Sequence, residues 1–105
     1  MQKLVRKNAI NIMNSVLINE VGPRDGLQNI EAVLSISERF ELIRSIERSG
    51  IQSLEIGSFV NPKAVPAMSG TDALLKKLGN QSNYSVLIPN TKGFDIAVDN
   101  NVKEI

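Results

Sequence analysis

The chain contains no cysteine and no histidine in 105 residues. Without thiols it can form no disulfide and offer no thiolate as nucleophile or ligand. Without imidazole it lacks the commonest general base and metal ligand, so any catalytic reading must find those groups elsewhere. Charge of one sign is also scarce. Twelve basic residues face eleven acidic ones, a net charge of +1, which gives no broad field to attract nucleic acid or a membrane surface. No apolar run approaches the ~20 residues of a membrane span. The expected partners therefore include neither nucleic acid nor membrane.

What remains is an ordinary globular composition, 42% hydrophobic and 22% charged, in a length that suits one domain. Residues 1–15 carry Lys3, Arg6 and Lys7 and no acid, interleaved with Leu4, Val5, Ile10, Ile12 and Met13. They read as an extension leading into the first strand. Arginine and serine are too sparse for a strong mitochondrial presequence, and no secretory apolar core is present. The expected compartment is the cytoplasm, with the mitochondrial matrix as the alternative.

Apolar strand patterns alternate with helical ones along residues 16–105. Strands are expected at 16–21, 53–56 and 84–88, with a fourth opening at Val102. Ser35 and Glu38 form a capping box before a helix over 36–49, whose Ile36, Phe40, Ile43 and Ile46 share one face. A second helix is expected over 71–78, with Asp72 in its first turn and Lys76 and Lys77 in its last, as the macrodipole favours. Leu74, Leu75 and Leu78 point to its core side. A third begins near Thr91, with Phe94, Ala97 and Val98 inward.

Strands alternating with helices imply parallel pairing and an α/β fold. The long connections, 22–34 and 57–69, both follow strands, whereas returns from helices are short. In a (β/α)8 barrel the loops after the strands build the active site. The chain therefore reads as the first three and a half β/α units of a TIM barrel. A complete barrel needs roughly 250 residues, so residues 1–105 are expected to be a partial barrel domain. A small doubly wound sheet is the competing architecture, though it too needs more chain.

The densest chemistry is Glu20-Val21-Gly22-Pro23-Arg24-Asp25-Gly26-Leu27-Gln28-Asn29, just past the first strand. Pro23 fixes φ and Gly26 tolerates positive φ, so a sharp loop is expected. Asp25 offers hard oxygen to Mg²⁺ or Mn²⁺. Arg24 can polarise a carbonyl and stabilise an enolate oxygen. The competing reading is a plain Asp-Gly turn beside a solvated arginine. Glu55 leaves its strand opposite Leu54 and Ile56, and a carboxylate so placed needs a partner. Arg24 is the obvious one, whether the pair is catalytic or merely orients the guanidinium. Glu20 reads more readily as a strand-end group satisfied by its neighbours than as a catalyst. In the second loop Ser58 can donate to a substrate carboxylate or carbonyl and Lys63 can attract a phosphate, though each also fits simple loop polarity. No base lies beside Ser58 in sequence, which argues against a hydrolase nucleophile. Asn90 ends the third strand as a turn residue, and Lys92 reads as solvated.

Three separated stretches carry a resemblance. Val21–Asn29 is similar to the first motif of the hydroxymethylglutaryl-CoA lyase family. Ser58-Phe59-Val60-Asn61-Pro62-Lys63-Ala64-Val65-Pro66-Ala67-Met68 resembles its second-strand loop, and Pro89-Asn90-Thr91-Lys92-Gly93-Phe94 its third. The order and spacing also fit over roughly 16–105. The resemblance implies a TIM barrel that cleaves 3-hydroxy-3-methylglutaryl-CoA to acetyl-CoA and acetoacetate with a divalent metal, Mg²⁺ or Mn²⁺. By the same resemblance Asp25 is a metal ligand, Arg24 the enolate stabiliser, Glu55 its acidic support, and Gln28 a substrate neighbour; Ser58 joins them as a substrate contact on the reading of its loop above. It also implies an acyl-CoA substrate, a place in leucine degradation and ketone-body formation, and a homodimer as an option for a completed barrel. The family's His-x-His pair, its asparagine ligand and its catalytic cysteine belong to later parts of the barrel. Ile30 stands where an acidic residue is common, and Asn61 where serine is common. The expectation is therefore a lyase portion that is inactive alone. The alternative is a non-catalytic half-barrel that binds acyl-CoA or a complementary chain.

Overall fold

The computed structural model describes residues 16–79 and 83–105. The basic stretch over 1–15 lies outside the described residues. Three parallel strands, β1 (Asn19–Glu20), β2 (Ser53–Ser58) and β3 (Tyr84–Leu87), form one sheet in the order β1-β2-β3. Helices α1 (Ile36–Arg48), α2 (Thr71–Leu78) and α3 (Thr91–Asp99) follow them in turn. A further parallel bridge, Ser85 to Glu104, opens the next strand on the free side of β3.

Local chemistry explains where the helices begin and end. The Ser35 side chain accepts from Glu38 N, and Glu38 accepts from Ser35 N, closing the expected capping box of α1. That contact holds the Glu38 carboxyl below its usual pKa range. Asn90 caps α3 by accepting from Gly93 N at 2.8 Å. The far end of α3 is a Schellman motif, in which Val102 N donates to Ala97 O and Asn101 N to Val98 O, with Asn101 left-handed at φ 56°.

The core lies between the sheet and the helix layer. Leu54 and Ile56 of β2 are fully buried against Ile43 of α1 and Leu74 and Leu78 of α2, with Tyr84 and Val86 of β3 completing the layer. Each such side chain contributes about 1.5–3 kcal/mol by leaving water. Strand alternation then places Glu55 on the opposite face.

Three expectations need correction. The first strand pairs only over Asn19–Glu20, not 16–21. Asn19 registers with Ser53, so residues before Asn19 run past the start of β2 and meet no ladder partner; Val16 and Leu17 stay exposed. Strand β2 instead extends through Ser58, because a register shift between Glu55 and Gly57 lets Gly57 and Ser58 continue along β3. The inward side of α3 is Gly93, Ile96 and Ala97, whereas Phe94 and Val98 are 49% and 57% exposed. Gly93 and Ala97 are four residues apart, and a Cβ at Gly93 would stand 3.0 Å from the Phe59 carbonyl oxygen, so the glycine lets the helix pack closely on that backbone. That close approach rotates the bulkier residues outward.

Candidate functional site

The segment after β1 is a π-helical turn over Gly22–Gly26. Arg24 N and Asp25 N both donate to Val21 O, at 3.0 and 2.7 Å. The expected role of Gly26 as a positive-φ residue is not met, since Gly26 is not among the glycines with positive φ. The tight path comes instead from Pro23, from the shared Val21 carbonyl and from Glu20. The Glu20 carboxylate accepts from Gly22 N at 2.8 Å. A Cβ on Gly22 would meet that same oxygen at 2.8 Å, so a larger residue there would have to displace the Glu20 carboxylate from this contact. Glu20 thus acts on the local backbone. Asn29 adds a second brace by donating from Nδ2 to Asp25 O at 2.8 Å.

This turn brings Arg24, Asp25 and Glu55 together. Arg24 Nε donates to Glu55 Oε1 at 2.5 Å, and both side chains are largely shielded. Arg24 Nη1 lies 3.4 Å from Asp25 Oδ1, and the Asp25 side chain is 58% exposed. Glu55 engages Nε and Asp25 lies near Nη1, which leaves Nη2 without a hydrogen-bond partner among the described residues. Two carboxylates beside one cation make a charge-dense corner at the strand ends.

Asp25 fits a hard divalent ion as a single ligand: its carboxylate is open to solvent and only loosely tied by Arg24. Among the described residues no group of three or more His, Cys, Asp or Glu side chains converges on one point. Asp25 alone is a weak site, and the rest of a coordination shell would come from other groups.

No hydrogen bond among the described residues ties the other expected contacts to this corner. Ser58 is buried, and its hydroxyl donates to Leu87 O at 3.1 Å. A substrate contact there would have to exchange that bond. Gln28 is exposed on a cavity of about 280 Å³ shared with Ile30, Val33, Val65 and Pro66. Lys63 and Lys92 meet around a second cavity, of about 360 Å³, whose walls include Phe59, Asn61, Asn90 and Ile96. Asn61 shapes its rim by accepting from Lys63 N at 2.9 Å. Sequence reasoning missed Arg39, a fully buried guanidinium in the first turn of α1. The available signal was its position on the apolar stripe between Ile36 and Ile43. Burial holds its pKa below the ordinary guanidinium value.

The HMGL-like family model matches residues 15–105. The chain belongs to the HMGL-like family. It is 44% identical over 92 residues to the mitochondrial hydroxymethylglutaryl-CoA lyase of Homo sapiens, covering 86% of this chain and 28% of that protein. It is 38% identical over 97 residues to the (R)-citramalyl-CoA lyase of Chloroflexus aurantiacus, covering 81% of this chain and 31% of that one. A solved HMG-CoA lyase from Acinetobacter baumannii, in complex with coenzyme A and 3-methylmalate, matches with a TM-score of 0.75 at 34% identity. That match covers 83% of this chain and 29% of the other. The chain thus spans less than a third of the length of these relatives. Its parallel strands and helices are part of the TIM barrel of such lyases. No helix among the described residues is long and apolar enough to cross a membrane.

Proposed function

We propose that this chain carries the enolate-stabilising corner of a metal-dependent hydroxymethylglutaryl-CoA lyase. The reaction cleaves 3-hydroxy-3-methylglutaryl-CoA to acetyl-CoA and acetoacetate. The observation that carries this reading is the Arg24–Glu55 pair, with Asp25 beside it. As the carbon–carbon bond breaks, its electron pair moves onto the thioester carbonyl of the departing acetyl-CoA. The outer guanidinium nitrogens of Arg24, held by Glu55 through Nε, donate to the oxygen on which that charge grows. Asp25 would be one ligand of a divalent cation, which supplies Lewis acidity at the substrate oxygens when bound. The cavity lined by Lys63 and Lys92 suits the phosphates of an acyl-CoA thioester. The reaction also needs a base for the tertiary hydroxyl proton and an acid for the enolate carbon. With no histidine or cysteine in its sequence, the chain is expected to be inactive alone.

The test is acetoacetate release from hydroxymethylglutaryl-CoA with Mg²⁺, for the chain alone and joined to the remaining barrel units of a relative. Turnover confined to the joined protein, and lost in Arg24→Lys, supports the reading. A joined protein in which Arg24→Lys keeps near-normal kcat sinks it. The missing imidazole and thiol also favour a second reading, an acyl-CoA-binding half-barrel without turnover. That reading expects CoA affinity in the chain and no acetoacetate even after joining.

A further inference from the structure

On the helix side of β2, Arg39 is 1% exposed. None of the ion pairs among the described residues includes it. Nη1 donates to Ser69 O at 2.9 Å, and Nη2 to Thr71 Oγ1 at 3.1 Å and Ile56 O at 3.5 Å. Nε is buried with no hydrogen-bond partner. Thr71 Oγ1 in turn donates to Met68 O at 2.8 Å. A buried cation satisfied by neutral oxygens and carrying an idle donor is costly. Burying it there makes sense if those oxygens need to be held together.

The oxygens flank a single segment. Ile56 precedes residues 57–70, and Met68, Ser69 and Thr71 lie at the other end. Arg39 therefore closes the neck of this segment from α1. Gly57 is part of the closure: a Cβ there would stand 2.7 Å from Thr71 Oγ1 and 2.9 Å from Arg39 Nη2. The body of the same segment supplies Phe59, Asn61 and Lys63 to the cavity of about 360 Å³. Its other ties are the pairing of Gly57 and Ser58 along β3, Ser58 Oγ to Leu87 O at 3.1 Å, Phe59 N to Leu87 O at 3.0 Å and the Asn61 turn.

We propose that Arg39 is a positioning residue, a buried clasp that fixes the pose of the cavity-lining segment 59–63 without touching what binds there. The placement rests on geometry alone; only its kinetic consequence rests on the lyase reading above.

Hydrogen exchange on the full chain tests the clasp without any turnover. Arg39→Lys keeps a charge but cannot bridge both ends, and Thr71→Val removes the shared hydroxyl at nearly constant volume. Both should speed amide exchange over 59–69 about tenfold, while α1 and β3 amides stay within about twofold. Thr71→Ser, which restores the hydroxyl, should return the segment to its original protection. Unchanged exchange over 59–69 overturns the proposal. So does equal acceleration through α1 and β3, which marks a general core residue, and so does failure of Thr71→Ser to rescue. In a joined, active lyase the same two changes should raise KM for hydroxymethylglutaryl-CoA about tenfold, with kcat within about twofold. A fall in kcat at constant KM also overturns the clasp. If the joined protein never turns over, the lyase reading fails while the exchange result still decides Arg39.

Discussion

Arg24 Nε donates to Glu55 Oε1 at 2.5 Å, joining the turn after β1 to the polar face of β2. The contact links two segments 31 residues apart and sets the plane of the guanidinium. It uses the inner nitrogen; of the outer pair, Nη1 lies 3.4 Å from Asp25 Oδ1 and Nη2 has no hydrogen-bond partner among the described residues. Both side chains are less than one-fifth exposed, so each needs the other's charge.

Glu55→Gln keeps the shape and removes that counter-charge. The largely shielded guanidinium then loses a charge-assisted bond, and stability should fall by about 1–3 kcal/mol. Urea unfolding at neutral pH measures this. An unchanged midpoint would mean that the pair is solvated and holds nothing in place.

Arg24→Lys keeps the charge and loses the fork. An ammonium cannot hold Glu55 through one nitrogen while presenting two more in a fixed plane. In a joined, active lyase kcat should drop roughly 10²–10³-fold, the usual loss of one oxyanion donor. KM should change little, because the interaction develops as charge moves onto oxygen. Steady-state kinetics with hydroxymethylglutaryl-CoA separates the two parameters.

The pairing of Arg24 with Glu55 was legible in the sequence because it needs only alternation: Leu54 and Ile56 claim the core side, so Glu55 must leave the other face. Helix α2 was legible at both ends, since the Leu74, Leu75 and Leu78 spacing and Gly79 all agree. The orientation of α3 was not, because Phe94 and Val98 are apolar and periodicity alone ranks them as core. The deciding fact is a close approach at Gly93 to the Phe59 backbone, which is tertiary. Arg39 escaped for the same kind of reason. Sequence patterns assign arginine to the surface, whereas here backbone oxygens from two ends of a loop converge on it.

Asp25→Asn tests the metal assignment. The amide keeps the size and most of the turn, because Asn29 bonds the Asp25 backbone carbonyl and not its side chain. It removes one anionic oxygen from a hard-ion site. In a joined, active lyase the Mg²⁺ concentration giving half-maximal rate should rise at least about tenfold. Chelation with EDTA should abolish turnover, and added Mn²⁺ or Mg²⁺ should restore it. An unaltered Mg²⁺ titration in Asp25→Asn removes Asp25 from the shell.

Tyr84 gives a prediction that needs no activity. Its hydroxyl donates to Glu47 Oε2 at 2.6 Å and accepts from Arg44 Nη1 at 3.2 Å. Burial, and then the hydrogen bond to the Glu47 carboxylate, push the phenol from 10.0 up to about 12. The folded pKa is raised above the unfolded one, so the fold favours the protonated phenol. The associated stability is complete below pH 10 and is lost as pH rises toward about 12, amounting to about 2–3 kcal/mol. Lysines titrate over the same range, so the comparison must be with Tyr84→Phe. That variant keeps the ring in the core, loses about 1 kcal/mol at neutral pH with its hydrogen bonds, and lacks the phenol's alkaline decline. Relative to Tyr84→Phe, the urea midpoint of the parent chain should therefore fall as pH rises from 8 to 11.5, the two curves meeting above pH 10 and crossing before the end of that range. Parallel curves would show that the Tyr84 hydroxyl ionises in the folded chain as easily as in water, and that its bond to Glu47 does not constrain it.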